Sequence, residues 1–187
     1  MLKIELTSGI HLGLIEKRHS PQFFSYIQNN MDNFKGILNF VDRMKNQDAV
    51  DALVKAFADM QTAGTGFLWG IWENDSLIGS INAHDINLFV KSGEISYFID
   101  KNHEGKGIMS KAFGAILAEL FVEYKLQRVF LRCSTENERS QNIAKRHGFI
   151  HEGTERRVFM ANGKLHDLMT WSMLKEEYEE WQKTDHK

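Results

Sequence analysis

The stretch "SYFIDKNHEGKGIMSKAFGAIL", residues 96 to 117, joins a strand-like run to a long amphipathic run through Gly105 and Gly107. A glycine turn that opens a helix is a common phosphate site, because the N–H groups of the first helical turn are free and the helix dipole is positive there. The spacing lacks the GxxxxGK of a Walker A loop, and Ser110 replaces the third glycine of a dinucleotide fingerprint. The loop alone therefore predicts either a phosphate site of another kind or a glycine turn without a ligand.

The segments around this stretch predict a mixed α/β fold. Residues 94–100 and 128–134 have strand character, and the helix between them implies a parallel crossover. Hairpins are predicted at "ENDS" and at the "NG" turn. The predicted order is strand, two helices, three strands, helix, strand, helix and two strands, which makes an α/β (α+β) sandwich with helices flanking a mixed, mostly antiparallel sheet.

Local signals place the helix ends. Ser20 is predicted as the N-cap of the first helix, with Pro21 at its first position. Gly148 is predicted just past the end of a short helix, and "KEEYEEW" predicts a final acidic helix. After the glycine turn, apolar residues at helical spacing predict a buried face about five turns long. They are Ala112, Phe113, Ile116, Leu117, Leu120, Phe121 and Tyr124.

Length and composition narrow the class of protein. The chain has 187 residues, 42% of them hydrophobic, which predicts one globular domain over residues 1–187. A net charge of -2 argues against a nucleic-acid partner. The single cysteine, Cys133, excludes an internal disulfide and favours a reducing compartment, so a cytoplasmic location is expected. No apolar run reaches membrane length, and the eight histidines form no HExxH pair or zinc-like cluster, so neither membrane insertion nor a metal is expected.

Residues 93 to 153 together resemble the core of the GNAT superfamily of N-acetyltransferases, and the hairpins on either side extend the resemblance over nearly the entire chain. The family's pyrophosphate loop has the pattern [QR]xxGxG or [QR]xxGxA. Farther along the chain, the family has an NxxS or NxxA motif and a GF pair that ends its fourth helix. The C-terminal hairpin looks most like the branch of ribosomal-protein serine N-acetyltransferases (RimJ/RimL type). The matching residues are Asn102, Gly105, Gly107, Asn137, Ser140, Gly148 and Phe149.

The resemblance implies acetyl-CoA as co-substrate and no metal. Its pyrophosphate is expected on the amides of residues 103 to 109, and its pantetheine arm between two parallel strands that part, with Asn137 on the opposite side. Asn102 stands where the family has Gln or Arg, and Lys106 is the residue that could compensate. The expected binding residues are Phe98, Ile99, Asp100, Asn102, His103, Glu104, Gly105, Lys106, Gly107, Ile108, Met109 and Asn137.

Two catalytic residues follow from the same resemblance. Glu94 stands where many members keep a glutamate, which predicts a general base, and the alternative is a solvated charge at the end of a strand. Many members place a tyrosine four residues after the position of Ser140, but this chain has Ala144 there. Ser140 is therefore the predicted acid, as in relatives that lack the tyrosine, and the alternative is a helix N-terminal residue.

For the remaining candidate residues, both a functional and a structural interpretation stay open. His84 and Asp85 either line the acceptor cleft or end a strand. Phe34 and Phe40 either shape the acceptor site or belong to the core, and Cys133 is interpreted as a small core residue.

The predicted function is direct acetyl transfer in a ternary complex to a primary amine. The N-terminal α-amine of a protein, such as a ribosomal protein, is the expected acceptor. The alternatives are a polyamine, amino acid or antibiotic as acceptor, or a non-catalytic acyl-CoA-binding module, which the departures at Asn102 and Ala144 motivate. Because relatives often form dimers, a homodimer is considered alongside a monomer.

Overall fold

The computed structural model describes residues 3–34, 43–161 and 163–184. In these ranges, eight strands, numbered in chain order, form one sheet: β1 Lys3–Thr7, β2 Ile10–Leu14, β3 Phe67–Glu73, β4 Ser76–Asn87, β5 Ser92–Ile99, β6 Arg128–Ser134, β7 Ile150–Ala161 and β8 Lys164–Leu174. Their order across the sheet is β1-β2-β3-β4-β5-β6-β8-β7. All neighbouring strands are antiparallel except β5 and β6, which are parallel. The predicted mixed sheet with a parallel pair near its centre is confirmed.

Among the described residues, six α-helices accompany the sheet: α1 Ser20–Asn29, α2 Met31–Phe34, α3 Gln47–Ala63, α4 Ile108–Ala118, α5 Glu138–Arg146 and α6 Lys175–Thr184. Helix α4 makes the crossover from β5 to β6 and continues as a wider π turn over Glu119–Glu123. The apolar face predicted for this segment is confirmed, because its members from Ala112 to Phe121 are at most 2% exposed.

The core lies on both faces of the sheet, because neighbouring residues of a strand point to opposite sides. On β3, Phe67, Trp69 and Ile71 belong to the cluster that packs on α4. Leu68 and Trp72, from the same strand, belong to a second cluster with residues of α1 and α3. We call the two sides the α4 face and the α1 face.

Two local predictions were wrong. The N-terminal segment forms two strands where one was expected, because Gly9 takes a left-handed φ of 76° and reverses the chain between β1 and β2. Ser20 is not an N-cap: a 3-10 turn over Lys17–His19 precedes α1 and makes Ser20 the first helical residue. Its buried hydroxyl instead donates to Asp51 and accepts from Gln47, which ties α1 to α3.

Pro21 lies in the first turn of α1, but because Ser20 begins the helix it is the second helical residue, one position later than predicted. Other turn predictions are confirmed. Gly148 follows the end of α5 with a φ of 76°, and Asn74, in the hairpin between β3 and β4, has a φ of 53°. Strands β7 and β8 form the expected C-terminal hairpin, although Asn162 of its "NG" turn lies outside the described residues. Across the described ranges, no helix combines the length and the apolar composition needed to cross a membrane.

Candidate active site

The site begins where the two parallel strands separate. Strands β5 and β6 pair from Ser92–Arg128 to Glu94–Phe130, and the pairing stops there although both strands continue, β5 to Ile99 and β6 to Ser134. A cleft of about 850 Å³ opens at this separation. Its walls come from β5, the glycine loop, the start of α4, the end of β6 and α5. The cleft therefore lies at the carboxyl ends of both parallel strands.

The glycine loop forms one wall of the cleft. Gly105 and Gly107 have φ angles of 72° and 76°, and a Cβ at either position would meet nothing within 4 Å. Glycine is thus required by the backbone conformation and not by crowding. Gly107 is the N-cap of α4, and no side chain of the described residues caps this end. The N–H groups of the first turn are left for a ligand, a favourable arrangement for an anion.

Asp100 supports the loop from within the chain. Its side chain accepts a hydrogen bond from the amide of Asn102 at 2.7 Å, and its carbonyl accepts one from the amide of His103 at 2.9 Å. These contacts fold residues 100–104 into a 3-10 turn that leads from β5 to the glycines. Asp100, Asn102 and Lys106 are outside the lining of the cleft. The other expected binding residues line it: Phe98, Ile99, His103, Glu104, Gly105, Gly107, Ile108, Met109 and Asn137.

Asn137 and Ser140 meet at the N-terminus of α5. Asn137 is the N-cap of this helix, and its Oδ1 accepts a hydrogen bond from the amide of Ser140 at 3.1 Å. Ser140 is only 8% exposed, and Ala144 one turn later is fully buried. Ser140 lines the cleft together with residues at the end of β6. It occupies a helix N-terminus, as one interpretation of the sequence expected, and it also reaches the cleft.

Tyr97 is a residue that the sequence analysis missed. Its hydroxyl lies 2.9 Å from the Oγ of Ser140, and its ring packs edge-on against Phe113 of α4 at 5.5 Å. Burial raises the pKa of the Tyr97 phenol far above its ordinary value, so the hydroxyl keeps its proton. The alternation of β5 places Tyr97 on the face opposite Glu94, but nothing in the spacing shows that it meets Ser140.

Cys133 lies in the same wall, on β6. It is 5% exposed and lines the cleft. Burial raises the pKa of the Cys133 thiol, and hydrogen bonding with Ser140 offsets part of that rise. A thiol with a raised pKa is a weak nucleophile at neutral pH. The interpretation of Cys133 as a small core residue fits this environment.

Glu94 is buried in an ion pair that the sequence did not reveal. It is the third residue of β5 and only 5% exposed, so the alternative of a solvated charge at a strand end was wrong. Arg132 of β6 donates to both carboxylate oxygens, with Nε 3.1 Å and 3.2 Å from them and an NH2 group 2.8 Å from one. Hydrogen bonding to Glu94 raises the pKa of the Arg132 guanidinium. Arg132 lines the cleft, and Glu94 lies behind it.

His84 and Asp85 lie on the α1 face beside this pair. The Nε2 of His84 is 3.0 Å from the Oγ of Ser96, and its Nδ1 is 3.3 Å from the Oδ2 of Asp85. Possible ligand atoms of His84, Asp85 and Glu94 lie within 4.8 Å of one another. Because Arg132 already holds both oxygens of Glu94, a cation there would have to displace a guanidinium. Ser96 lines the cleft, and His84 lies one hydrogen bond behind it.

Two aromatic side chains close the α1 face of the cleft. Phe34, at the end of α2, and Phe98 of β5 have ring centroids 4.9 Å apart and both line the cleft. Phe34 is also 4% exposed and belongs to the second hydrophobic cluster, so it is both core and wall. Phe40 lies outside the described residues.

We expect Arg132→Met to lower the free energy of unfolding by about 2 kcal/mol, because it leaves a buried carboxylate without its cation. The Arg132 side chain is 41% exposed, so the loss is smaller than for a pair with both members buried. The double variant Arg132→Met/Glu94→Gln should recover much of that loss, since a neutral amide is easier to bury. Arg139→Met is the matched control. Arg139 forms an ion pair with Glu104, but its side chain is 73% exposed, so the pair should contribute less than about 1 kcal/mol to the free energy of unfolding. Urea denaturation of the four proteins measures these differences, and equal losses for Arg132→Met and Arg139→Met would contradict the assignment.

Comparison with known proteins gives relatives that match along nearly the whole chain. A putative ribosomal N-acetyltransferase, YdaF of Bacillus subtilis (strain 168), is 29% identical over 184 residues, which are 96% of this chain and 98% of the relative. The ribosomal-protein-serine acetyltransferase of Escherichia coli (strain K12) is 25% identical over 171 residues, 91% of this chain and 96% of the relative. The RimJ/RimL-type resemblance is thereby confirmed.

Solved structures share the fold. RimL, a ribosomal α-N-protein acetyltransferase solved in complex with coenzyme A, superimposes with a TM-score of 0.88 at 20% identity, covering 92% of this chain and 98% of that one. A protein-family model described as "Acetyltransferase (GNAT) domain" matches residues 11–150 of the chain. The matched residues include the separated strands β5 and β6, the glycine loop and α5. These residues build the cleft, and the chain therefore belongs to the GNAT family of N-acetyltransferases.

Proposed function

We propose that this chain transfers the acetyl group of acetyl-CoA directly to the N-terminal α-amine of a protein, with a ribosomal protein as the leading candidate. The observation that carries the proposal is the cleft between β5 and β6, which has an uncapped helix N-terminus on one wall and aromatic and charged side chains on the α1 face. The acceptor is supported by full-length similarity to two relatives named for ribosomal acetylation. Family membership makes acetyl-CoA the donor.

The glycine loop suits the pyrophosphate of acetyl-CoA. His103 and Glu104 use their N–H groups within the 3-10 turn, so of residues 103 to 109 we assign the phosphates to the N–H groups from Gly105 to Met109. They lie at the start of α4, which no described side chain caps, and the left-handed glycines let a ligand approach the backbone closely. We assign Lys106 the role of a cation near the phosphates, in place of the longer side chain that Asn102 lacks. Phe98 and Ile99, at the end of β5, would bind the pantetheine arm through backbone groups that β6 no longer pairs. Asp100 follows the strand, and its N–H donates to the carbonyl of Ile78 while its carbonyl accepts from His103.

Ser140 and Tyr97 are the proposed donors to the departing sulfur. The Tyr97 hydroxyl keeps its proton, so it can donate to the Ser140 oxygen while the Ser140 hydroxyl donates toward the cleft. Hydrogen bonds in such a chain strengthen one another. Tyr97 thus offers a phenol from β5 in a protein that has Ala144 in place of the family's usual tyrosine.

Glu94 remains a proposed catalytic residue on the amine side. Both its oxygens accept hydrogen bonds from Arg132, which lines the cleft in front of it, so Glu94 would act on the amine through a water relay. An α-amine with a pKa of about 8 is roughly a tenth neutral at pH 7, whereas a lysine amine near 10.4 is far less so. A weak or indirect base therefore suffices for a protein N-terminus.

We further propose that residues 1–187 act as one domain, since both hydrophobic clusters pack on the same sheet. A cytoplasmic location is supported by the single free, buried cysteine. A net charge of -2 supports a partner other than nucleic acid. A homodimer is a proposal drawn from the family, and sedimentation tests it.

We expect Gly107→Val to abolish measurable acetyl-CoA binding. A β-branched residue at a φ of 76° costs at least about 1 to 2 kcal/mol, which shifts the loop and tilts its amides away from the phosphates. Gly163→Val is the matched control, because Gly163 has a φ of 69°, equally open surroundings and a place on the far hairpin. Calorimetric titration with acetyl-CoA measures both, and unchanged affinity in Gly107→Val would contradict the loop assignment.

We expect Tyr97→Phe to lower kcat about 5- to 10-fold, the equivalent of one hydrogen bond, with the affinity for acetyl-CoA unchanged. Combined with Ser140→Ala it should add little, because both changes remove the same donor chain. Tyr124→Phe is the control. Tyr124 also lies on the α4 face, but it packs against Phe67 and does not line the cleft. An undiminished kcat in Tyr97→Phe would show that Ser140 acts without it.

The function itself is tested by coenzyme A release from acetyl-CoA, followed by thiol titration with a panel of acceptors. The panel contains peptides that start with Ser or Ala, N-terminally blocked lysine peptides, spermidine and an aminoglycoside. We expect release with the free N-terminal peptides. Release only with a small amine would assign the chain to polyamine or antibiotic acetylation, and binding of acetyl-CoA without any release would favour a non-catalytic module.

A further inference from the structure

A chain of three polar side chains leads away from the cleft on the α1 face. Ser96 follows Glu94 by two residues on β5, so it lies on the same face, just past the last pair with β6. Its Oγ is 3.0 Å from the Nε2 of His84 on β4, and the Nδ1 of His84 is 3.3 Å from the Oδ2 of Asp85. Ser96 lines the cleft. The three groups form a continuous path from the cleft to the protein surface.

The backbone is distorted to make this path. Consecutive residues of a strand point to opposite faces, so the side chains of His84 and Asp85 could not meet in a regular strand. Here the register between β4 and β5 shifts between His84 and Asn87, and Asp85 has a φ of 50°. Aspartate is one of the few residues besides glycine that adopt this region, because its short polar side chain can hydrogen-bond locally. The bulge places the Asp85 carboxylate beside the imidazole.

The Asp85 carboxylate selects the proton arrangement of His84. An ionised carboxylate only accepts hydrogen bonds, so Nδ1 of His84 carries the proton and donates it. The lone pair of Nε2 then points at Ser96, whose hydroxyl donates to it. The remaining lone pairs of the Ser96 oxygen are left to accept a proton from a group in the cleft.

Glu94 is less suited to receive that proton. Both its oxygens are engaged by Arg132, it is 5% exposed, and it lies behind the residues that line the cleft. His84 has a side chain 25% exposed, so a proton that arrives there can leave to solvent. A carboxylate oxygen of Asp85 and one of Glu94 each lie within 4.8 Å of a ring nitrogen of His84.

We propose that His84, acting through Ser96 and oriented by Asp85, accepts the proton of the acceptor ammonium. This inference rests on the proposed function and assigns the residues on the amine side of the same site. One ammonium proton passes to the Ser96 oxygen as the Ser96 proton passes to Nε2 of His84. The neutral amine attacks the thioester carbonyl, the C–N bond forms and the C–S bond breaks. A second nitrogen proton ends on the coenzyme A sulfur, and His84 releases the first to solvent.

The test uses His84→Ala in the full chain, assayed with the best acceptor of the panel. We expect kcat to fall about 100-fold or more, as for the loss of a general base, with acetyl-CoA affinity unchanged. Added imidazole should restore part of the rate, which the loss of a merely structural residue would not allow. His11→Ala, on β2 away from the cleft, is the control and should keep its activity with and without imidazole.

Two further variants keep the test decisive if His84→Ala fails to fold. Ser96→Ala should lower kcat about 10-fold or more, and Asp85→Asn should lower it less, because it only orients the ring. Three results would overturn the inference. Ser96→Ala could keep full activity, a folded His84→Ala could keep full activity, or a folded His84→Ala could lose activity that added imidazole does not restore. If the wild-type protein releases coenzyme A with none of the acceptors in the panel, that result would instead contradict the proposed function as a whole.

Discussion

The separation of β5 from β6 is the constraint on which the site depends. The two parallel strands pair only as far as Glu94 and Phe130. Beyond that point, the backbone groups that face across the gap form no hydrogen bonds from one strand to the other. Buried N–H and C=O groups need hydrogen bonds, so the gap is suited to a ligand that carries its own amides. The neighbours of these strands hold the gap open, since β4 pairs with β5 as far as Ile99 and β8 with β6 as far as Ser134.

The sheet divides the chemistry between its two faces. On the α4 face, the glycine loop, Ser140 and Tyr97 surround the position expected for the phosphates and the leaving sulfur. On the α1 face, Ser96, His84 and the pair of Glu94 with Arg132 surround the position expected for the amine. A thioester in the gap would be reached from both sides. Each group is fixed by a partner in another element, so little reorganisation is needed at the moment of reaction.

The sequence predicts the features that local chemistry determines. The strand, glycine turn and apolar helix of residues 96 to 117 are predictable because turn conformation and burial periodicity lie within one short segment. The place of Ser140 at the N-terminus of α5 is local in the same way. The ion pair of Glu94 with Arg132 and the contact of Tyr97 with Ser140 join residues about 40 positions apart, and no spacing rule predicts them. Asp85 beside His84 depends on a bulge, which the alternation pattern argues against.

The central claim is that donor and acceptor occupy the gap together, so initial-velocity kinetics with both substrates varied test it most directly. If acetyl is transferred in a ternary complex, double-reciprocal plots at several acceptor concentrations will give intersecting lines. Parallel lines would mean that coenzyme A leaves before the amine binds and that the protein carries the acetyl group, for example on Cys133. That result would contradict the arrangement described for the two faces of the sheet.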